Sequence, residues 1–142
     1  MTSLWKKKSH IDELNEMCKK TAIEYLGIQF VEMGPDYIKA SMPVDHRTIQ
    51  PAGLLHGGAL VLLAESLGGL ASSLCLENSQ DLPVGIEINA NHLKSSRSGF
   101  VYGTVKAIHI GSRLHVWEIR IENEKNQLCS IARLTNQIVS KT

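Results

Sequence analysis

A single carboxylate, Glu65, interrupts a run of apolar and small residues extending from Gly57 to Leu76. Val61, Leu62, Leu63 and Ala64 precede it, and Ser66 and Leu67 follow. At helical spacing, Gly69, Ser72 and Ser73 share its side, while Leu60, Ala64, Leu67, Ala71 and Leu74 lie opposite. The run therefore predicts a helix with a greasy side for burial and a small, polar side around one carboxylate. Gly69 costs such a helix about 1 kcal/mol relative to Ala, so its place one turn from Glu65 points to ligand access. A partly buried carboxylate titrates above the ordinary range and can serve as nucleophile or general base. The plain alternative is a Glu65 that pairs with Lys or Arg or simply faces solvent.

His56-Gly57-Gly58 stands immediately before this helix. Free N–H groups and the positive dipole end make a helix start a place for negative charge, including a developing oxyanion. Glycine lets a carbonyl come close there. Gln50, six residues before His56, could polarise a carbonyl or orient a water, although taken alone it reads more simply as a loop residue. His92 shares a period-two face with Val84, Ile86, Ile88 and Ala90, where a satisfied core histidine is the simpler reading. Lys94, Arg97 and Arg113, with Ser95, Ser96 and Ser112 beside them, fall at strand ends or turns. Basic and hydroxyl groups around exposed N–H groups can grip phosphates, although scattered basic residues are also ordinary surface. The six histidines show no metal-ligand spacing, and no G-x-S-x-G elbow, P-loop or dinucleotide fingerprint is present. Neither a metal nor an organic cofactor is expected.

The elements that must position these residues follow from pattern and punctuation. Ser9 to Leu26 predicts a helix with Ser9 as N-cap, Asp12 and Glu13 at its positive end and Gly27 as its stop. Strands are predicted over Ile28 to Met33 and Tyr37 to Val44, divided by a turn at Gly34-Pro35-Asp36. After the long helix come Val84 to Leu93, Phe100 to Ile110, Arg113 to Glu122 and Leu128 to Val139 as strands joined by short turns. This order predicts an α+β fold with a mainly antiparallel sheet, in one domain spanning residues 1–142. A helix of about 20 residues and a strand of about ten are both roughly 30 Å long, so the sheet could wrap the helix.

Composition sets the class. The chain has 142 residues, 43% hydrophobic and 20% charged, the balance of a soluble globular protein. A net charge of +1 gives no field that would attract nucleic acid or an anionic membrane. The Gly57 to Leu76 run is long enough to span a bilayer, but the central Glu65 argues against lipid exposure. Lys6, Lys7 and Lys8 are followed by no apolar stretch of a secretory signal. Cys18, Cys75 and Cys129 form no CxxC pair, which suits a reducing cytoplasm.

The stretch from Gln50 through Pro51-Ala52-Gly53-Leu54-Leu55-His56-Gly57-Gly58 to Glu65-Ser66 resembles the signature of hot-dog-fold acyl-CoA thioesterases. It looks closest to the branch of 1,4-dihydroxy-2-naphthoyl-CoA, enterobactin-proofreading and Arthrobacter-type 4-hydroxybenzoyl-CoA thioesterases. Val84-Gly85-Ile86-Glu87-Ile88-Asn89-Ala90-Asn91-His92, Lys94-Ser95, His109-Ile110-Gly111-Ser112-Arg113 and Val116-Trp117-Glu118-Ile119 match in the same order. The resemblance implies an antiparallel sheet wrapped around a long central helix, and hydrolysis of acyl-CoA thioesters, aromatic ones first. It implies Glu65 as the catalytic carboxylate and the Gly57 N–H as oxyanion donor, with His56 and Gln50 shaping that site. Gly85, His92, Lys94, Ser95, His109, Gly111, Ser112 and Arg113 match positions lining the acyl and CoA sites. It further implies sites lying between subunits of a homodimer, with dimers pairing into a homotetramer.

Gly69 departs from the resemblance, standing where these relatives often carry a serine that helps catalysis, and Leu114 and Ala52 also differ. Two rivals on the same fold are an acyl-CoA sensor without turnover and a hydroxyacyl-thioester dehydratase. Retention of Glu65 beside His56-Gly57 counts against the first, and the Gln50 and Gly-Gly context against the second.

Overall fold

The computed structural model describes residues 2–141. Six antiparallel strands form one sheet around one long helix. The strands are β1 (Gln29–Met33), β2 (Tyr37–Pro43), β3 (Asp81–His92), β4 (Phe100–Ile110), β5 (Leu114–Asn123) and β6 (Leu128–Ser140). They lie in the order β1-β2-β4-β5-β6-β3, so β1 and β3 are the edges. The long helix α3 (Gly57–Leu74) packs on the concave face against β2 to β6. This is the hot-dog architecture the sequence predicts.

The core is the meeting of α3 with that face. Leu63, Ala64, Leu67 and Ala71 of the helix are fully buried with Ile38, Val101, Val105, Trp117, Ile119, Ile121 and Leu134 of the sheet. Each buried Leu or Ile contributes roughly 1.5–3 kcal/mol from the area it removes from water. Two glycines set the close approach: a Cβ on Gly103 would lie 2.7 Å from Leu67 Cδ1, and one on Gly68 would collide with Leu134. Helix α3 is apolar and long enough to cross a membrane by composition, yet half of it is buried inside this fold.

The first predicted helix is two. Residues Ile11–Met17 form α1 and Ala22–Tyr25 form α2, with Lys20 between them at φ 60°. The Thr21 hydroxyl accepts from Ile23 N–H at 3.2 Å and donates to the Cys18 carbonyl at 2.6 Å, so this residue restarts the chain as an N-cap. Ser9 does not cap α1. His10 holds that position without a side-chain bond, and the Ser9 hydroxyl goes to Glu13 Oε2 at 3.0 Å.

A bulge in β3 also corrects the sequence reading. The β3–β6 register slips between Gly85 and Glu87, which reverses the alternation of faces. Ile88, Ala90 and His92 face α3, but Val84 and Ile86 do not share that face, being 40% and 54% exposed. The extra residue turns Gly85 toward α3, where it meets the Glu65 carboxylate.

Candidate active site

The start of α3 is built for negative charge. His56 is its N-cap, and its Nδ1 accepts from Gly58 N–H at 2.8 Å. Its carbonyl takes the N–H groups of Ala59 and Leu60 at 3.0 and 3.2 Å. Among the described residues nothing accepts the N–H of Gly57, which stays open at the positive end of the helix dipole. His92 covers this point from β3: a Cβ on Gly57 would lie 2.8 Å from its Nε2. The other ring nitrogen, Nδ1, is 2.9 Å from the buried Ser130 hydroxyl, which orients the imidazole. His92 is thus an exposed residue beside the helix start, not one enclosed in the core.

Gln50 completes this end. Its Oε1 accepts from Ala52 N–H and closes its own loop, leaving the amide NH₂ as the free end of the side chain. Gln50, Gly57, His92, Lys94 and Ser95 line one groove of about 240 Å³, with Leu54, Leu55 and Leu60 as its apolar wall.

Glu65 lies two turns further along and is exposed within one protomer, so the expected partial burial is not met there. No Lys or Arg among the described residues pairs with it. Its side of α3, with Gly58, Val61, Leu62 and Ser66, forms an open depression that the chain's own sheet leaves uncovered. The carboxylate rests against Gly85, where a Cβ would lie 3.4 Å from Oε2. Gly69 has nothing within 4 Å of its Cβ position, in keeping with access beside Glu65.

One protomer does not bring all the expected residues together. Eight residues of helix put Gly57 and Glu65 about 12 Å apart along the axis. Their partners Gly85 and His92 are roughly 20 Å apart along β3. His109, Gly111, Ser112 and Arg113 lie at the β4–β5 turn, at the Gly85 end of the sheet and far from Lys94 and Ser95. His109 pairs with Val116, between inward-facing His115 and Trp117, so it occupies the outer face of the sheet.

A buried polar cluster went unread in the sequence. Ser72, placed by periodicity on the open side with Glu65, is fully buried. Its hydroxyl accepts from Trp117 Nε1 at 2.7 Å and Asn136 Nδ2 at 2.8 Å. Its own hydrogen therefore goes to His115 Nδ1, at 3.0 Å. Burial holds the His115 imidazole below its ordinary range, opposed in part by a bond to the Gly111 backbone. Asn136 Nδ2 also donates to the Gly68 carbonyl at 3.2 Å. The available signal was alternation in β5, which sets His115 on the same face as Trp117, Ile119 and Ile121.

Residues 52–130 match the model of the thioesterase superfamily. The 1,4-dihydroxy-2-naphthoyl-CoA hydrolase of Escherichia coli is 50% identical over 136 residues, covering 96% of this chain and 99% of that protein. A proofreading thioesterase of Cronobacter turicensis is 40% identical, covering 96% and 98%. The crystal structure of a mutant thioesterase from Pseudomonas aeruginosa superposes with a TM-score of 0.95 at 48% identity, covering 97% of this chain and 99% of that one. A helix start with an open N–H, an unpaired carboxylate on the same helix and similarity along nearly the whole chain agree: this chain belongs to the thioesterase superfamily and is a hot-dog-fold hydrolase.

Proposed function

We propose that the chain hydrolyses acyl-CoA thioesters to free acid and CoA, with aromatic acyl groups, hydroxybenzoyl or 1,4-dihydroxy-2-naphthoyl, as the preferred class. The observation that carries this reading is the open Gly57 N–H at the positive end of α3, flanked by His92 and Gln50. A thioester oxygen bound there would gain charge in the transition state, where a fixed N–H donor acts most strongly. Glu65 supplies the base. The aromatic preference draws on the hydrolase of Escherichia coli to which the chain is 50% identical.

The site belongs to a pair of subunits. A carbonyl that accepts from Gly57 N–H and is attacked from Glu65 spans at most about 7–8 Å between the two groups, given hydrogen-bond distances of about 3 Å. Within one chain the carboxylate is turned away from the helix start, onto Gly85. The Gly57 of one protomer therefore works with the Glu65 of its partner. The edge strand β3 supports this arrangement. It is twelve residues long and unpaired on one side, a template for a second copy. Leu82, Val84 and Ile86 on or beside its outer face are 42%, 40% and 54% exposed, which favours dimers packing into a homotetramer. Arg113, Ser112 and Gly111 of one subunit, with Lys94 and Ser95 of another, would hold the nucleotide of CoA. Three free cysteines suit a reducing cytoplasm.

Thiol release from aryl- and fatty-acyl-CoAs, compared with Glu65→Ala, tests the reading. Turnover that ranks aryl esters first and vanishes in the variant supports it. Tight acyl-CoA binding without turnover would make the protein a sensor, and near-normal activity in Glu65→Ala would sink the mechanism.

A further inference from the structure

Asn136 is 1% exposed and its amide is fixed by two donated bonds, to Gly68 O at 3.2 Å and Ser72 Oγ at 2.8 Å. That orientation leaves Oδ1 as the outward atom, and among the described residues no donor reaches it. It is aimed at the space over Gly85, 3.6 Å from where a Cβ would stand, and Glu65 Oε2 faces the same point at 3.4 Å. Two acceptors thus converge on a spot that only the absence of a side chain keeps empty. That oxygen is not sealed inside the protein, so a donor from outside the chain can reach it. The chemistry that fits is a small molecule with two hydrogens.

We propose that this space holds the water that attacks the thioester, with Asn136 as its positioning residue. The inference rests on the hydrolase reading above and specifies how Glu65 acts there. The water donates one hydrogen to Asn136 Oδ1 and the other to Glu65, which leaves a lone pair directed away from both. That lone pair forms the bond to the carbonyl carbon while Glu65 takes the proton. Collapse of the oxyanion breaks the C–S bond, and the proton passes from Glu65 to the departing thiolate. The products are acid and thiol, and no other reactant is needed. Gly85 is required because any side chain would fill the water's place. The bulge that turns Gly85 inward, and the bonds of Ser72 to His115 and Trp117 that hold Asn136, then serve one purpose.

Two substitutions test this with benzoyl-CoA. Gly85→Ala adds a methyl at ordinary contact distance from both acceptors, so the fold has room for it. It should lower kcat by about 100-fold, the lower end of what general-base catalysis contributes, with KM within threefold of the parent. Asn136→Ala should lower kcat similarly, and hydroxylamine, a stronger nucleophile that needs less positioning, should restore much of the thiol release. A raised KM at unchanged kcat in Gly85→Ala would show acyl space instead of a water site and overturn the proposal. Equal losses with water and hydroxylamine in Asn136→Ala would reduce that residue to a structural role and overturn it as well. Glu65→Ala in the same assay separates the two levels. Activity retained there removes the hydrolase reading itself, whereas a dead Glu65→Ala beside fully active Gly85→Ala and Asn136→Ala removes only the placement of the water.

Discussion

The imidazole of His92 stands over Gly57: a Cβ added to that glycine would lie 2.8 Å from the ring's Nε2, closer than real Cβ atoms approach. The contact joins the edge strand to the start of the central helix. It also explains why the residue carrying the open N–H has no side chain. A methyl there must push the imidazole away and narrow the approach to the N–H.

Gly57→Ala should therefore lower kcat more than it weakens substrate binding. The loss of a well-placed oxyanion donor costs about 100- to 1000-fold in kcat, and a donor that is only obstructed should sit at or below that range. Steady-state kinetics on benzoyl-CoA check this, and an unchanged kcat would take the oxyanion role away from this position.

Arg113 tests the phosphate role. It is exposed at the β4–β5 turn, and no carboxylate among the described residues forms an ion pair with it. Arg113→Ala should raise KM for CoA esters about tenfold, the worth of one charged hydrogen bond, and leave small thioesters lacking the nucleotide untouched. Equal losses on both substrates would point to folding or to the acyl site.

Gly69 offers a gain of stability. With nothing within 4 Å of its Cβ position, Gly69→Ala should add up to about 1 kcal/mol through helix propensity alone. Denaturant unfolding measures it. If activity falls while stability rises, the space is used by substrate. Gly69→Ser places a hydroxyl one turn from Glu65, and its effect on kcat reports whether that group assists attack.

His115 sets an acid limit. Burial holds its imidazole below the ordinary value, so the unfolded chain binds a proton more readily than the folded one. Its contribution is complete above the unfolded pKa, about 6.5, and is lost as pH falls from there toward the lower folded value. The melting temperature should thus decline from pH 7 to pH 5, and His115→Gln should flatten that part of the profile while lowering stability at pH 7. An unaltered slope in the variant would assign the acid sensitivity to another group.

Much of this molecule was legible along the chain. The strand β4 falls where alternation and the flanking glycine place it, and α3 begins at the Gly57 that follows a capping residue. These are local matters of period, propensity and punctuation, which neighbouring residues decide among themselves. Glu65 was visible for the same reason, as a charge in a greasy run.

What tertiary structure decided are the choices local rules leave degenerate. Lys20 and Thr21 end one helix and start another because a positive φ and a side-chain cap together outweigh periodicity. A one-residue bulge reverses the faces of β3, and its position depends on pairing with β6, 51 residues away at Gly85–Asn136. Ser72 reads as open surface until the Trp117, His115 and Asn136 of two other strands bury and satisfy it. The carboxylate and the helix start announce themselves singly in the sequence. Their separation within one protomer is set by the rise of the helix and the lie of the sheet beneath it.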